Sequence, residues 1–301
     1  MTNPCLENIL SPAKLNLFLH VTGQRPDGYH LLQSVFVAID WHDTMHFERR
    51  KDGQILRHDL NHTSLPKKDL SIQAAQLLQQ ISGTSFGVNV SLHKTIPMQA
   101  GLGGGSSNAA TTLLALNHLW ELNLPTNILH TLAQKLGSDV PFFLQGRPAW
   151  AEGIGEILTP VTLPENMLKT SLAILKPEQG VATQQIFSSA LLTKNTKPAK
   201  ISDFISSTKD ANAAFDFGRN DLQQAAIAAE PQIEQALRWL KNNGVKDARM
   251  TGSGSSVFGA IDALNLSNNS PPVGWKLKLC KILDSHPHVQ WSSHSMSELD
   301  Q

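Results

Sequence analysis

The sequence predicts an α+β fold in two domains. The chain has 301 residues, a length that suits two domains or one large one. Strand-like runs precede helix-like runs in each half, which favours α+β over a doubly wound parallel sheet. No internal repeat competes with a split, and the boundary falls between Gly146 and Pro164, so the domains are read as 1–160 and 161–301.

The elements follow in order. Leu15 to Val21 (LNLFLHV) alternates apolar positions as a strand does, and the turn-rich GQRPDG comes after it. SVFVAID and MHFERR continue the β character as two runs. Asp27-Gly28 and Asp52-Gly53 stand where hairpin turns are expected. Asp69 to Ile81 reads as a helix with Asp69 as its N-cap. Phe86 to Leu92 (FGVNVSL) alternates again and delivers the chain into the glycine-rich PMQAGLGGGSS. NAATTLLALNHLW then carries Ala109, Leu113, Leu116 and Trp120 at helical spacing, and a helix from Asn127 to Leu136 is closed by Gly137.

In the second half, PENMLKTSLAILKP holds a short apolar strand. Gln184 to Leu192 and Asp221 to Asn242 read as helices, the latter amphipathic through Leu222, Ile233, Leu237 and Leu240. Arg249 to Ala260 (RMTGSGSSVFGA) is a strand, a second glycine/serine loop, and then a strand or a helix. Leu264 to Gly274 is a surface loop. The tail after Ala260 is expected to complete the second domain.

Composition narrows the function classes. Hydrophobic residues make up 41% and charged residues 17%, which are globular values. Basic and acidic residues balance at 25 each, so broad nucleic-acid binding is disfavoured for want of net positive charge. Cys5 and Cys280 lie at opposite ends with no metal-ligand spacing, and so few thiols fit a reducing compartment. The start, MTNPCLENIL, shows neither a basic segment nor a long apolar one, and no apolar run is long enough to span a bilayer. A cytoplasmic protein without membrane or nucleic-acid partners is expected, as a monomer or a homodimer.

The glycine segment is the strongest chemical signal. Glycine-rich backbone can wrap closely around an anion, and a helix N-terminus directly after it presents unpaired N–H groups and a positive dipole end. Phosphate suits such a site. Two familiar phosphate loops do not match: Gly105 is followed by Ser106 and Ser107 rather than by a Lys-Ser/Thr pair, and the third glycine of a dinucleotide fingerprint is replaced by Ser106. Lys14, in SPAKLNLFL, opens the first core strand. Asp139, in LGSDVPFFL, sits on a constrained turn before Pro141. Ser11-Pro12-Ala13-Lys14 also matches the S-x-x-K of penicillin-recognising enzymes. Its companion motifs are missing, because valine follows Ser138-Asp139 and isoleucine follows Lys94-Thr95.

Taken together, SPAKLNLFL, RPDGYHLLQSVF, PMQAGLGGGSSNAA, LGSDVPFFL and RMTGSGSSVFGA resemble, in this order, the 4-diphosphocytidyl-2-C-methyl-D-erythritol kinases. These belong to the superfamily of galactokinase, homoserine kinase, mevalonate kinase and phosphomevalonate kinase. The likeness runs from about Asn8 to Ala260; the glycine loop marks the superfamily, and RPDGYHLLQSVF with SDVPFFLQG marks the narrower family. The resemblance implies a two-domain α+β small-molecule kinase with its active site in the interdomain cleft. It implies transfer of the ATP γ-phosphoryl group to the tertiary 2-hydroxyl of the cytidyl-linked methylerythritol, a step of the non-mevalonate isoprenoid pathway.

The residue roles implied are these. Lys14 and Asp139 align with the catalytic pair. Lys94 aligns with an ATP-side lysine, and Pro97, Met98, Gln99, Ala100, Gly101, Leu102, Gly103, Gly104, Gly105, Ser106 and Ser107 with the ATP phosphate loop. Tyr29, the only tyrosine, would stack on the cytosine and His30 would hydrogen-bond it. Phe187 would supply the second aromatic face and Thr183 a polar contact, each stacked ring contributing ~1–3 kcal/mol. Asn16, two residues from Lys14 on one strand face, joins the substrate pocket. Mg²⁺ is expected with ATP, with no protein ligand assigned. Three positions depart from the family pattern. Relatives often carry asparagine before leucine at the adenine side where this chain has Asp69-Leu70, and Gln184 and Gln185 replace a more proline-rich stretch. Another small-alcohol kinase of the superfamily, such as a homoserine or mevalonate kinase, and a non-catalytic nucleotide-binding regulator are the alternatives.

Overall fold

The computed structural model describes residues 3–61, 65–66, 69–209, 211–261 and 270–292. Its larger sheet has seven strands and is organised by two long ones, β1 (Cys5–Gln24) and β2 (His30–Arg50), paired antiparallel. SVFVAID and MHFERR are therefore one strand, not two, because Trp41 and Asp43 between them are buried and His42 and Asp43 continue the ladder opposite Pro12 and Ser11. The Asp27-Gly28 turn does join β1 to β2, with Gly28 at φ 90° and Arg25 N donating to Tyr29 O at 2.7 Å.

The second expected hairpin does not form. After Gly53, β3 (Ile55–Asp59) runs parallel to β4 (Gly87–His93), and it is β4 that takes the edge of β2. Val88, Val90 and Leu92 of β4 are fully buried, whereas β3 alternates between half-buried and exposed positions. The more apolar strand wins the central place. Two short strands, β5 (Ala149–Glu152) and β6 (Ile157–Pro160), complete this side of the sheet.

Four helices cover the sheet. α1 (Leu70–Ser82) begins at Asp69, whose carboxylate accepts from Ile72 N at 3.0 Å, and ends at a left-handed Gly83. α2 (Gly104–Leu119) is rich in alanine and leucine and is buried on almost every face, with Ala109, Leu113 and Leu116 fully enclosed. It starts inside the glycine segment, four residues before the expected run. α3 (Thr126–Leu136) closes at Gly137, and α4 (Val140–Gln145) begins at Asp139.

Beyond α5 (Glu165–Lys169), the smaller sheet is antiparallel. Its strands are β7 (Ser171–Lys176), β8 (Arg249–Met250), β9 (Val257–Ile261) and β10 (Lys276–Cys280), in the order β10-β7-β9-β8. RMTGSGSSVFGA is thus strand–loop–strand. The helices here are α6 (Thr183–Phe187), α7 (Ile201–Ser207), α8 (Ala211–Asp216), α9 (Gln223–Ala229) and α10 (Gln232–Asn242).

Three expectations need correction. The helix read over Gln184 to Leu192 is only the five residues of α6. The helix read over Asp221 to Asn242 is two, parted at Glu230-Pro231, where proline has no N–H to give and its ring clashes with the preceding turn. The tail does more than complete the smaller sheet: β11 (Ile282–Leu283) returns to pair with Ile39 and Ala38 of β2. Of the loop expected from Leu264 to Gly274, residues 264–269 lie outside the described residues.

Candidate active site

β1 loses register between Asn16 and Leu19, and just before this bulge two polar side chains, Lys14 and Asn16, are buried on one face of the strand. Lys14 Nζ donates to Asn16 Oδ1 at 2.5 Å and stands 3.5 Å from Asp139 Oδ2 and 5.0 Å from the centre of the Phe36 ring. Asn16 is fixed in turn, its amide nitrogen donating to Ser34 Oγ and its backbone N–H to Thr251 Oγ1, both at 2.8 Å. The Lys14 side chain is 5% exposed and that of Asp139 is 30% exposed. A buried ammonium therefore faces a carboxylate that still meets solvent.

The glycine segment packs against this pair. Lys14 N donates to Leu102 O at 2.9 Å, and a Cβ on Gly103 would stand 3.0 Å from Lys14 Cγ. The second glycine loop locks into the first. Ser256 N donates to Ala100 O at 3.2 Å, and a Cβ on Gly252 would lie 2.7 Å from Gly101 O. Gly101 itself has φ 72°, and its missing side chain leaves room for Thr251 O. Past the loop, the first N–H groups of α2 have no helical acceptor.

Behind the loop lies a buried polar network that the sequence reading missed. Asp43, fully buried, accepts from Thr95 N at 2.7 Å, Ile96 N at 2.8 Å and Asn108 Nδ2 at 3.0 Å, and it pairs with Lys94 Nζ. Asn108 also donates to Ser11 Oγ at 3.0 Å, and Ser11 Oγ donates to Ser107 Oγ at 2.8 Å. Ser107 is thus turned into the interior beneath the loop, and Lys94 reaches the loop from a salt bridge. Within this network a lone aspartate in the WHDT stretch of β2 gave no motif to read.

Across the cleft, His30 and Phe187 stack with ring centroids 5.4 Å apart and planes inclined by 24°. Tyr29 is 61% exposed, with the Arg25 guanidinium 6.0 Å from its ring centre. Among the described residues His30 Nε2 is buried without a hydrogen-bond partner, and a buried ring nitrogen needs one. Burial, and after it the Lys194 ammonium, hold the His30 imidazole below its ordinary value. Thr183 Oγ1 lies 2.7 Å from Ser253 Oγ in the second glycine loop. Lys194 carried no signal in the sequence, whereas Ser253 falls in the second glycine/serine loop, RMTGSGSSVFGA.

Asp69 is doubly committed. One oxygen caps α1, and the other lies 2.9 Å from an Arg57 nitrogen; Arg57 also donates to Pro66 O at 2.9 Å. The carboxylate is neutralised where the likeness expected an amide.

These walls enclose one continuous cleft of ≈ 1550 Å³, and every site residue singled out in the sequence lines it except Ser107. A glycine loop before a helix N-terminus, a lysine–carboxylate pair and an aromatic wall share one cleft between two sheets, and the class they sit in is that of the GHMP small-molecule kinases. The GHMP kinases N-terminal domain model matches residues 69–147, and the GHMP kinases C-terminal model residues 209–268. A homoserine kinase structure from Cytophaga hutchinsonii shares the fold at 13% identity, with a TM-score of 0.69 over 93% of this chain and 96% of that one.

Closer likenesses narrow the class. The chain is 52% identical over 287 residues to the 4-diphosphocytidyl-2-C-methyl-D-erythritol kinase of Albidiferax ferrireducens, covering 95% of this chain and 96% of the relative. A crystal structure of a 4-(cytidine 5'-diphospho)-2C-methyl-D-erythritol kinase superposes with a TM-score of 0.73 at 29% identity, covering 90% of this chain and 98% of that one. This chain belongs to the 4-diphosphocytidyl-2-C-methyl-D-erythritol kinase family.

Proposed function

We propose that the protein transfers the γ-phosphoryl group of ATP to the 2-hydroxyl of 4-diphosphocytidyl-2-C-methyl-D-erythritol. The observation that carries this reading is the Lys14–Asp139 pair, 3.5 Å apart beside the glycine loop, in a cleft whose other wall presents Tyr29, His30 and Phe187. Homoserine and mevalonate have no base to stack on such a wall, and family membership weighs against both.

In this reading the partly exposed Asp139 carboxylate takes the proton of the acceptor hydroxyl. The freed oxygen forms its bond to the γ-phosphorus as the bond from that phosphorus to the β-bridging oxygen breaks, and ADP leaves. Lys14, paired with Asp139, offsets charge gathering on the transferred group. The loop from Pro97 to Ser106 and the N-terminus of α2 hold the ATP phosphates, with Lys94 at their flank. Such a transfer asks the protein mainly for positioning and charge stabilisation. Tyr29 and Phe187 provide stacking faces for cytosine, while His30 Nε2 and Thr183 provide polar contacts.

Mg²⁺ would arrive with ATP. Among the described residues no group of three or more His, Cys, Asp or Glu side chains could cage an ion. Its ligands would come from phosphate and water, as the ion prefers. Residues 1–160 form one unit in this proposal and 161–301 the other. In support, the larger sheet draws its strands from Cys5–Pro160 with β11 added, and the smaller from Ser171–Cys280. Among the described residues no helix is long and apolar enough to cross a membrane.

The test is an ATP-coupled assay offering the cytidyl substrate, homoserine and mevalonate in parallel. Turnover confined to the cytidyl substrate is expected. Turnover of either small alcohol in its place, or of none of the three, would overturn the assignment.

A further inference from the structure

At the end of β7 stands a buried cation that this mechanism does not use. Lys176 is 4% exposed, and its Nζ donates to Pro177 O at 2.6 Å, Glu178 O at 3.3 Å and Gln179 O at 2.9 Å. Carbonyls of consecutive residues that converge on one point require several donors on one atom. An ammonium has them, whereas a guanidinium spreads its donors across a planar fork.

The turn gathered by this ammonium touches both glycine loops. Gln179 O also accepts from Ser255 Oγ at 2.6 Å. Gly180 approaches the first loop so closely that a Cβ there would stand 2.5 Å from Gln99 Cβ. Directly downstream, Thr183 and Phe187 line the cleft. One side chain therefore ties down the segment that launches the aromatic wall.

We propose that Lys176 is a positioning residue for the cytidyl substrate, fixing the wall that carries Thr183 and Phe187 against the two glycine loops. The inference rests on the reading of that wall as the cytidyl side. Because Lys176 sits behind the wall and touches no substrate, its loss misplaces the binding surface and leaves Lys14 and Asp139 intact.

A pH signature follows. Burial, and then Lys276 of the neighbouring β10, lower the Lys176 amine from 10.5 to about 8, while Glu230 and Glu178 pull it back up. Above that pH the neutral amine has one N–H fewer, and a carbonyl of the turn goes unpaired. Linkage works in the opposite direction. Between about 8 and 10.5 the unfolded chain binds the extra proton, so this group adds stability as pH rises. A loss of cytidyl affinity above pH 8 would therefore not be unfolding.

The experiment measures KM for each substrate and kcat from pH 6.5 to 9.5 in the wild type, Lys176→Met, Gly180→Ala and Phe187→Ala. Lys176→Met should raise KM for the cytidyl substrate about tenfold, with kcat and KM for ATP within about threefold of wild type, and should abolish the alkaline rise in cytidyl KM. Gly180→Ala, which disturbs the same turn without touching the amine, should raise cytidyl KM similarly and keep the alkaline rise. It carries the test should Lys176→Met fail to fold. Unchanged cytidyl KM in the variant that folds, or equal rises for both substrates in Lys176→Met, overturns the proposal. If Phe187→Ala also leaves cytidyl KM unchanged, it is the reading of the wall that fails.

Discussion

On the glycine-loop side of the cleft, Lys14 is 4% exposed and bonded to Asn16, while Asp43 is fully buried and tied to Thr95, Ile96, Asn108 and Lys94. On the PDGYH side, Tyr29 is 61% exposed, held by the Arg25–Tyr29 turn, by its N–H donating to Asp27 Oδ1 and by the Arg25 guanidinium near its ring. The first region is fixed from behind by two interlocked loops and a buried polar network. The second offers ring faces and an unpaired His30 nitrogen. Chemistry that depends on sub-ångström placement suits the first, and recognition of a base by stacking tolerates the second. Substitutions on the two sides should accordingly fail in different ways.

The largest expected effect is at Asp139. Asp139→Asn keeps the shape of the side chain and removes its basicity, so kcat should fall by about 10²–10⁴-fold while ATP binding is nearly unchanged. Single-turnover measurement of phosphoryl transfer separates the two. Near-normal turnover would remove Asp139 from the role of base and erase the contrast between the sides. Gly101→Ala comes next. Its φ of 72° disfavours a side chain, and the added methyl meets backbone, Thr251 O, that cannot swing away. Strain of this kind costs about 1–3 kcal/mol before the clash is counted. The variant should lose both melting temperature and ATP affinity, as a wall fixed from behind must. A fully stable Gly101→Ala enzyme with normal KM for ATP would show the interlocked loops to be looser than described.

Tyr29→Ala tests the open side. Removing one stacking ring should raise KM for the cytidyl substrate about tenfold, at the lower end of what a stacked base contributes. KM for ATP and the melting temperature should not move, since an exposed ring gives up little on truncation. Equal rises in both KM values would break the division between the two sides.

Much of this was legible in the chain itself, for reasons that differ by residue. PMQAGLGGGSS could be read because its backbone geometry demands glycine, and Lys14, Asp139, Tyr29 and Phe187 because they fall in segments with a family likeness. Asp43 was invisible. Its role comes from the pairing of β2 with β4, which brings it to Thr95 and Ile96 across 52 and 53 residues of sequence. The exchange at Asp69 raised the right question, but its answer lies in Arg57, which a parallel strand places beside it and no spacing rule could supply. The failed hairpin at Asp52-Gly53 has the same origin: a turn signal states that the chain bends, while the sheet decides which strand it bends toward.

The smallest expected effect sharpens the comparison most, because it concerns a proton. His30 has its pKa lowered from 6.5, first by burial and then by the Lys194 ammonium. With the folded value below the unfolded one, the unfolded chain binds more protons as pH falls below about 7, so this group's contribution to stability declines toward acid pH. Function follows the same proton, since an imidazolium offers only donors where the neutral ring also offers an acceptor. Below the range in which Lys176 titrates, cytidyl KM should stay flat down to about pH 6.5 and rise on the acid side only below it. Lys194→Ala removes the smaller of the two causes, so the acidic rise should begin at slightly higher pH and change KM only about two- to threefold near pH 6. NMR titration of the His30 ring in both proteins checks the shift directly. A His30 that titrates above 6.5, or one indifferent to Lys194, would mean that the open side is wetter and less structured by charge than its packing against Phe187 implies.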